Sequence, residues 1–211
     1  MDYKNRIERE AKRRQIYSLV HFTNIENIEG IVEHGLLSRE EIVDRGLSVL
    51  ATDPWRLDGI PSAISLSVTN INSAMLDNKR AIWPKDIWAV IHFRPSILWT
   101  HACRFCHRNA SHKEISKSRV FLGGPWAFER MFEDKVSGAS PEEESYREMN
   151  NIRDCCPTRL DAEVQVLERI APELIMGVVV DRASRAARVQ ALMDRINKID
   201  GDDRNVLVHN F

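Results

Sequence analysis

A carboxylate enters an apolar stretch at Asp161-Ala162-Glu163-Val164-Gln165-Val166-Leu167, just after Pro157-Thr158. Val164 and Val166 alternate with polar residues at period 2, which puts Asp161, Glu163 and Gln165 on one face of a strand. An acid on a sheet is costly unless a cation or a hydrogen-bond donor meets it. Glu163 is therefore either a strand-edge charge facing water or a group held in place for chemistry. His21 closes a second apolar stretch, Ile16 to Phe22. Its imidazole can donate and accept at once, although a lone histidine ending a strand is commonly a satisfied core group. Thr23, beside it, adds a hydroxyl. Arg56, within Thr52-Asp53-Pro54-Trp55-Arg56-Leu57-Asp58, offers a permanent cation on a planar fork suited to pyrophosphate. It could equally assist deprotonation of an acceptor, or pair with Asp53 or Asp58. Ser65 and Ser67 share one face of Ala63-Ile64-Ser65-Leu66-Ser67-Val68.

The four cysteines pose a separate question. Cys103-Arg104-Phe105-Cys106-His107 has metal-like spacing, and Cys155-Cys156 could supply two more thiolates. Adjacent cysteines suit tetrahedral ligation poorly, so four reduced thiols and no metal are expected, with structural zinc as the alternative. Neither Gly-x-Gly-x-x-Gly nor a Gly-Lys-Ser/Thr loop is present, so no Rossmann or P-loop phosphate site is indicated.

The elements that must carry these groups follow from patterning. Residues 2–15 read as a basic helix and Ile16 to Phe22 as a strand. Thr23-Asn24-Ile25-Glu26 fits a capping box before a helix whose stripe is Ile25, Ile28, Ile31 and Val32, with Gly35 as its C-cap. Ser38 to Arg45 predicts a short helix, Ala63 to Val68 a half-buried strand, and Asn70 to Lys79 a helix. Ile87 to Phe93 predicts a strand stopped by Pro95. Residues 99–119 read as irregular, Pro125 to Phe132 as helical, and Glu133 to Asp154 as a polar loop with some helix. Met176 to Val180 predicts a buried strand, Arg182 to Asn197 an amphipathic helix, and Val206 to His209 a last strand. Strands scattered among helices at irregular spacing indicate α+β architecture, not a doubly wound parallel sheet.

At 211 residues, with 43% hydrophobic and 29% charged content, the chain fits one globular domain spanning 1–211. No apolar run approaches the ~20 residues that span a bilayer. Met1 to Arg6 lacks a signal-peptide stretch, so a cytoplasmic protein without membrane contact is expected. The net charge of −1 does not by itself announce a nucleic-acid partner. Its distribution is uneven, with cations in 101–119 (Arg104 and Arg108 among them) and acids in 133–148. Such an arrangement could guide a phosphate backbone or simply be a mixed solvated surface.

Ser18-Leu19-Val20-His21-Phe22-Thr23-Asn24-Ile25-Glu26, running on to His34-Gly35-Leu36-Leu37, resembles the opening of the DarT-type ADP-ribosyltransferases, toxins that modify DNA bases. The segment Thr52 to Asp58 followed by Ile64-Ser65-Leu66-Ser67 resembles that family's arginine segment and next strand. Trp88 to Leu98, Phe105 to Ala110, and Pro157-Thr158 with Ala162-Glu163-Val164 continue in the same order. The match is piecewise and collinear from about Tyr17 to Phe211. It departs from the family pattern at Arg159, where an aspartate is expected.

The resemblance implies an ADP-ribosyltransferase-like fold, with split, twisted sheets flanked by helices around an NAD cleft. It implies NAD as substrate and a base of single-stranded DNA as acceptor, with the same chemistry on RNA as the alternative. A third reading is a non-enzymatic, zinc-dependent nucleic-acid-binding protein. Glu163 would meet the ribose 2′-hydroxyl and stabilise the oxocarbenium-like ribose, with Arg56 as the second catalytic group and Asp161 orienting the acceptor. His21 and Thr23 would hold the cofactor with Arg56, Ser65 and Ser67. Residues 133–160 would form the acceptor-recognition loop, with Tyr146, Arg147 and Asn150 joining Arg104 and Arg108 on the nucleic acid. Trp99, Phe105, Phe121 and Trp126 are candidate stacking platforms. A toxin of this kind would need a neutralising partner, such as a macrodomain antitoxin.

Overall fold

The computed structural model describes residues 2–51, 57–83, 88–118, 120–134 and 145–209. Its centre is a seven-stranded sheet in the order β4-β5-β2-β1-β3-β6-β7. The strands are β1 (Leu19–Asn24), β2 (Ile64–Val68), β3 (Trp88–Phe93), β4 (Cys103–Cys106), β5 (Glu163–Val166), β6 (Ile175–Val180) and β7 (Asn205–Val208). Neighbours are antiparallel except for β6 and β7. The near-continuous apolar runs of β3 and β6 lie between other strands; β3 is buried on both faces, whereas β6 buries Ile175, Val178 and Val180 and leaves Met176 exposed.

The sheet is split. β1 pairs with β3 along its whole length, from Leu19 opposite Phe93 to Asn24 opposite Trp88. With β2 it pairs only at Leu19 opposite Val68 and Val20 opposite Ser67. From His21 onward β1 and β2 part, which opens a gap between the sheet halves β4-β5-β2 and β1-β3-β6-β7.

Helices α1 (Tyr3–Arg13), α2 (Ile28–His34), α3 (Arg39–Asp44), α4 (Ser73–Ile82), α5 (Ile97–Thr100), α6 (Lys113–Ser116), α7 (Pro125–Arg130), α8 (Tyr146–Met149) and α9 (Ala183–Asp200) surround the sheet. α1 turns Ile7 and Ala11 into the core and packs on α5 and α7. Three of its cations and the C-cap Arg14 are engaged within the protein: Arg6 with Glu129, Lys12 with Glu8, and Arg13 and Arg14 with Glu10 and Asp154. The basic first helix is thus a docked, ion-paired element. α9 covers β6 and β7 and packs on α2, where Arg188 reaches Glu26 and Glu29.

Gly35 ends α2 with φ 83°, a left-handed conformation that favours glycine. A Cβ there would lie 2.5 Å from the Ile170 carbonyl oxygen, because Leu36 bridges to Ile170.

Two sequence expectations need correction. Thr23 does not cap a helix. β1 runs on through Asn24, with Thr23 opposite Ala89, so strand pairing takes Thr23 into the ladder. Asn24 instead accepts from the Glu26 N–H at 2.9 Å and starts a 3₁₀ turn, Ile25–Asn27. A capping box does form, but at Ser38 and Glu41. Residues 99–118 are not irregular throughout: they contain β4 and α6, with irregular stretches between and around them. A four-residue strand leaves almost no periodicity to read, and β4 is defined by its pairing with β5.

Candidate active site

β5 carries Glu163 into the gap between the sheet halves. Register places Cys106 opposite Glu163, Arg104 opposite Gln165, and Ser65 opposite Gln165 on the other side. The polar face of this half therefore gathers Ser65, Ser67, Arg104, Glu163 and Gln165, while Leu66, Phe105, Val164 and Val166 turn into the core. The Ser65 hydroxyl donates to Glu163 Oε1 at 3.4 Å, and Asn109 Nδ2 donates to Oε2 at 3.1 Å. Asp161 lies in the turn before β5, not within the strand. It accepts from the Asn109 backbone N–H at 3.4 Å and from Arg159 Nε at 2.9 Å. Arg159, the departure from the family pattern, thereby neutralises a carboxylate beside Glu163.

Asn109 ties both acids together, and sequence reasoning gave it no role. It lies on a loop without periodicity; the only available signal was its place in the Phe105 to Ala110 segment. Asn109→Ala removes the donor that orients Oε2. Turnover is expected to fall about ten- to a hundredfold, the scale of a small misplacement of a reacting group. Steady-state kinetics should show the loss in kcat with little change in KM for the dinucleotide; an unchanged kcat removes Asn109 from the site.

His21 stands where β1 leaves β2. Its Nδ1 lies 3.1 Å from the Ser65 carbonyl oxygen, which can only accept, so Nδ1 carries the proton. Burial pushes the imidazole pKa down, only partly opposed by the Ser65 carbonyl. The ring is neutral at pH 7, and Nε2 is an acceptor with no partner among the described residues. Thr23 accepts from Asn27 Nδ2 at 3.0 Å. Asn27 also exchanges two hydrogen bonds with the Leu50 backbone, fixing the segment before Ala51 against the same wall.

These groups line one cleft of about 610 Å³, within the range of small-molecule sites. His21, Thr23, Ser65, Ser67, Asn109 and Glu163 all face it. A second cleft of about 610 Å³ is lined by Asn70, Tyr146, Asn150, Arg153, Thr158 and Arg159, among others. The two share Ser67, Asn72, Asp161 and Ala162, so they meet beside Glu163.

The remaining candidates divide. Tyr146 and Asn150 line the second cleft. Arg147 does not: it donates to Thr158 Oγ1 at 2.7 Å and to the carbonyls of Arg153 and Cys156 at 2.9 Å, bracing the segment that leads into β5. Arg104 donates to Gln165 Oε1, and Gln165, fully buried, donates in turn to Asp58 Oδ2. That chain of bonds ties β4 and β5 to the loop following residue 56. Arg108 pairs with Glu114 at 3.6 Å. Arg56 lies outside the described residues. Phe105 is buried and Trp99 partly so, which removes Phe105 as a stacking platform; Phe121 and Trp126 are exposed.

Cys103 and Cys106 sit three apart on β4 and therefore point to opposite faces, where they cannot share an ion. Among the described residues no group of three or more His, Cys, Asp or Glu side chains is arranged to hold a metal. Among them, too, no helix is long and apolar enough to cross a membrane.

A split, largely antiparallel sheet with a carboxylate at the mouth of the split is the framework of an ADP-ribosyltransferase. The family model described as "ssDNA thymidine ADP-ribosyltransferase, DarT" matches residues 64–209, and the chain belongs to that family. Solved structures agree in fold. "Thermus sp. 2.9 DarT in complex with NAD+" superposes with a TM-score of 0.56 at 14% identity, covering 93% of this chain and 96% of that one. The same Thermus protein "in complex with ADP-ribosylated ssDNA" gives 0.56 at 13% identity, with 93% and 95% covered. "Thermosipho africanus DarTG in complex with ADP-ribose" gives 0.54 at 15% identity, covering 92% of this chain and 50% of that one. The chain thus spans half the length of the Thermosipho chain. No curated protein matches it.

Proposed function

We propose that this protein transfers ADP-ribose from NAD to a thymine base of single-stranded DNA, and that residues 1–211 act as one catalytic domain. The observation that supports this most directly is the meeting of two clefts at Asp161 and Ala162, beside Glu163, which lines the first of them. The first cleft takes NAD, with the neutral His21 accepting from a ribose hydroxyl through Nε2 and Thr23, Ser65 and Ser67 along the wall. As the nicotinamide–ribose bond breaks, C1′ of the ribose becomes oxocarbenium-like, and the Glu163 carboxylate stabilises that charge across the 2′-hydroxyl. Arg56 takes the pyrophosphate or assists deprotonation of the base. The second cleft takes the acceptor, with Tyr146 and Asn150 on its wall and Asp161 orienting the base. Thymine in a nucleoside keeps a single ring N–H, at N3, and that proton must leave if the new bond to C1′ forms there. A base edge can be reached only outside the helical stack, which suits a single strand.

Arg104, Arg108 and Arg147 act in this reading as supports of the site, since each already has a partner within the protein. A cytoplasmic location and a macrodomain antitoxin that removes the mark fit a toxin role, supported by the likeness to a chain called DarTG. The test is incubation with NAD and oligonucleotides of single- and double-stranded DNA and of RNA, with and without thymine or uracil. Mass spectrometry should find one added ADP-ribose on thymine-containing single strands only, and Arg56→Ala should cripple the transfer. An adduct on RNA alone would establish the alternative acceptor. Stoichiometric zinc without NAD turnover would favour the binding module.

A further inference from the structure

The second cleft has a feature that the transfer reaction does not use. Cys155 and Cys156 are adjacent in sequence, and their sulfurs lie 3.9 Å apart. Cys156 lines the cleft beside Pro157 and Thr158. Its sulfur meets Asn70 Nδ2 at 3.4 Å and Arg153 Nη2 at 3.9 Å, and Arg153 also donates to Asn70 Oδ1 at 3.2 Å. The backbone around the pair is held from two sides. Thr69, at φ 66° in a conformation a β-branched residue rarely adopts, donates its hydroxyl to the Cys155 carbonyl at 2.9 Å. Arg147 grips the Cys156 carbonyl. The clamped backbone keeps both thiols on one side and in contact.

We propose that Cys155 and Cys156 are an oxidisable dithiol whose closure to a disulfide blocks the DNA cleft while leaving the NAD cleft open. The proposal rests on the second cleft being the acceptor site. A peroxide is the oxidant class. The half-buried Cys155 is the thiol that meets it first, giving a sulfenic acid and one water; the Cys156 thiolate then attacks that sulfur and expels a second water. Two thiols and one peroxide thus yield one disulfide and two waters. Cα atoms joined by a trans peptide are ~3.8 Å apart, shorter than the ~4.4–6.8 Å that disulfides prefer. The bond is therefore strained and readily reduced, as reversible disulfides in reducing compartments are. Burial pushes the Cys156 thiol up, so closure should speed as pH rises. Cys103 and Cys106 do not compete, since burial pushes both up to about 12.

Closure would pull the Cys156 sulfur away from Asn70 and Arg153 and shift the wall that continues through Thr158 to Asp161. Treating the reduced protein with hydrogen peroxide should produce a mass loss of two hydrogens, located by peptide mapping to Cys155-Cys156. Binding of a thymine-containing single-stranded oligonucleotide should weaken at least about tenfold, or roughly 1.4 kcal/mol. NAD binding should be unchanged, and dithiothreitol should restore the oligonucleotide. Cys155→Ser should bind and transfer as the reduced protein does and ignore peroxide. A missing disulfide overturns the inference, as does a disulfide that leaves oligonucleotide binding unaltered, or equal peroxide loss in Cys155→Ser. Failure of the reduced protein to modify DNA would count against the functional reading instead, because the mass and binding measurements do not depend on transfer.

Discussion

Glu163→Gln is expected to lower ADP-ribose transfer about a thousandfold, the scale on which a directed electrostatic contact in a transition state acts. The change preserves shape. A glutamine carbonyl can still accept from Asn109 Nδ2, and its amide can donate to the Ser65 hydroxyl, so the two contacts at 3.1 and 3.4 Å both survive in altered form. What disappears is the negative charge that the proposed reaction sets against the ribose as it turns cationic. The loss should therefore fall on kcat, with NAD affinity and thermal midpoint near their original values. Wild-type turnover in this variant would remove Glu163 as the charge-stabilising group and with it the proposed chemistry.

The second large effect concerns stability. Arg204 is fully buried, and its guanidinium donates to the Ile175 carbonyl at 2.7 Å, the Glu173 carbonyl at 2.9 Å, Asn197 Oδ1 at 3.1 Å and Asp200 Oδ1 at 2.8 Å. It thereby joins the end of α9, the turn before β6, and the entry to β7. Arg204→Ala should cost about 3–5 kcal/mol, as removal of one partner of a buried charged network does. A chain of this size should lose roughly 10 °C in Tm. Arg204→Lys should recover little, because one ammonium cannot reach partners spread around a planar fork. Arg204 also holds the Asp200 carboxyl down at about 2, against an ordinary 3.8. A carboxylate with a depressed folded-state pKa contributes stability above its unfolded value and loses it as pH falls through the folded one. The wild-type protein should thus lose stability between about pH 4 and pH 2, and that step should shrink in Arg204→Ala, where the Asp202 backbone N–H still donates to the carboxylate. An acid limb identical in the two proteins would deny the coupling.

Legibility varied with the length of each element. The stripe Ile28, Ile31 and Val32, the run into β3, β6 and the long α9 were all readable, because burial imposes a period over many residues. β4 was hidden since four residues carry no period and its partner lies some sixty positions away. Thr23 misled for a different reason. Its local pattern satisfied a cap, but β3 recruited it into the sheet, and tertiary pairing prevailed over local preference. In the candidate site, Glu163 and His21 were noticeable as polar groups in apolar surroundings. Asn109 and Arg204 were not, because each matters only through partners distant in sequence.

The order of apolar and polar residues was sufficient by itself to specify strands bearing an acid and an imidazole, and the collinear segments indicated the family. Tertiary structure alone decided that β1 parts from β2 after Val20, that this gap admits His21 and Glu163 to one cleft, and that a second cleft meets it there. Periodicity records which face of an element is buried, and it is set within a few neighbouring residues. Where a sheet splits is set by the pairing of strands far apart along the chain, and no local pattern encodes that distance.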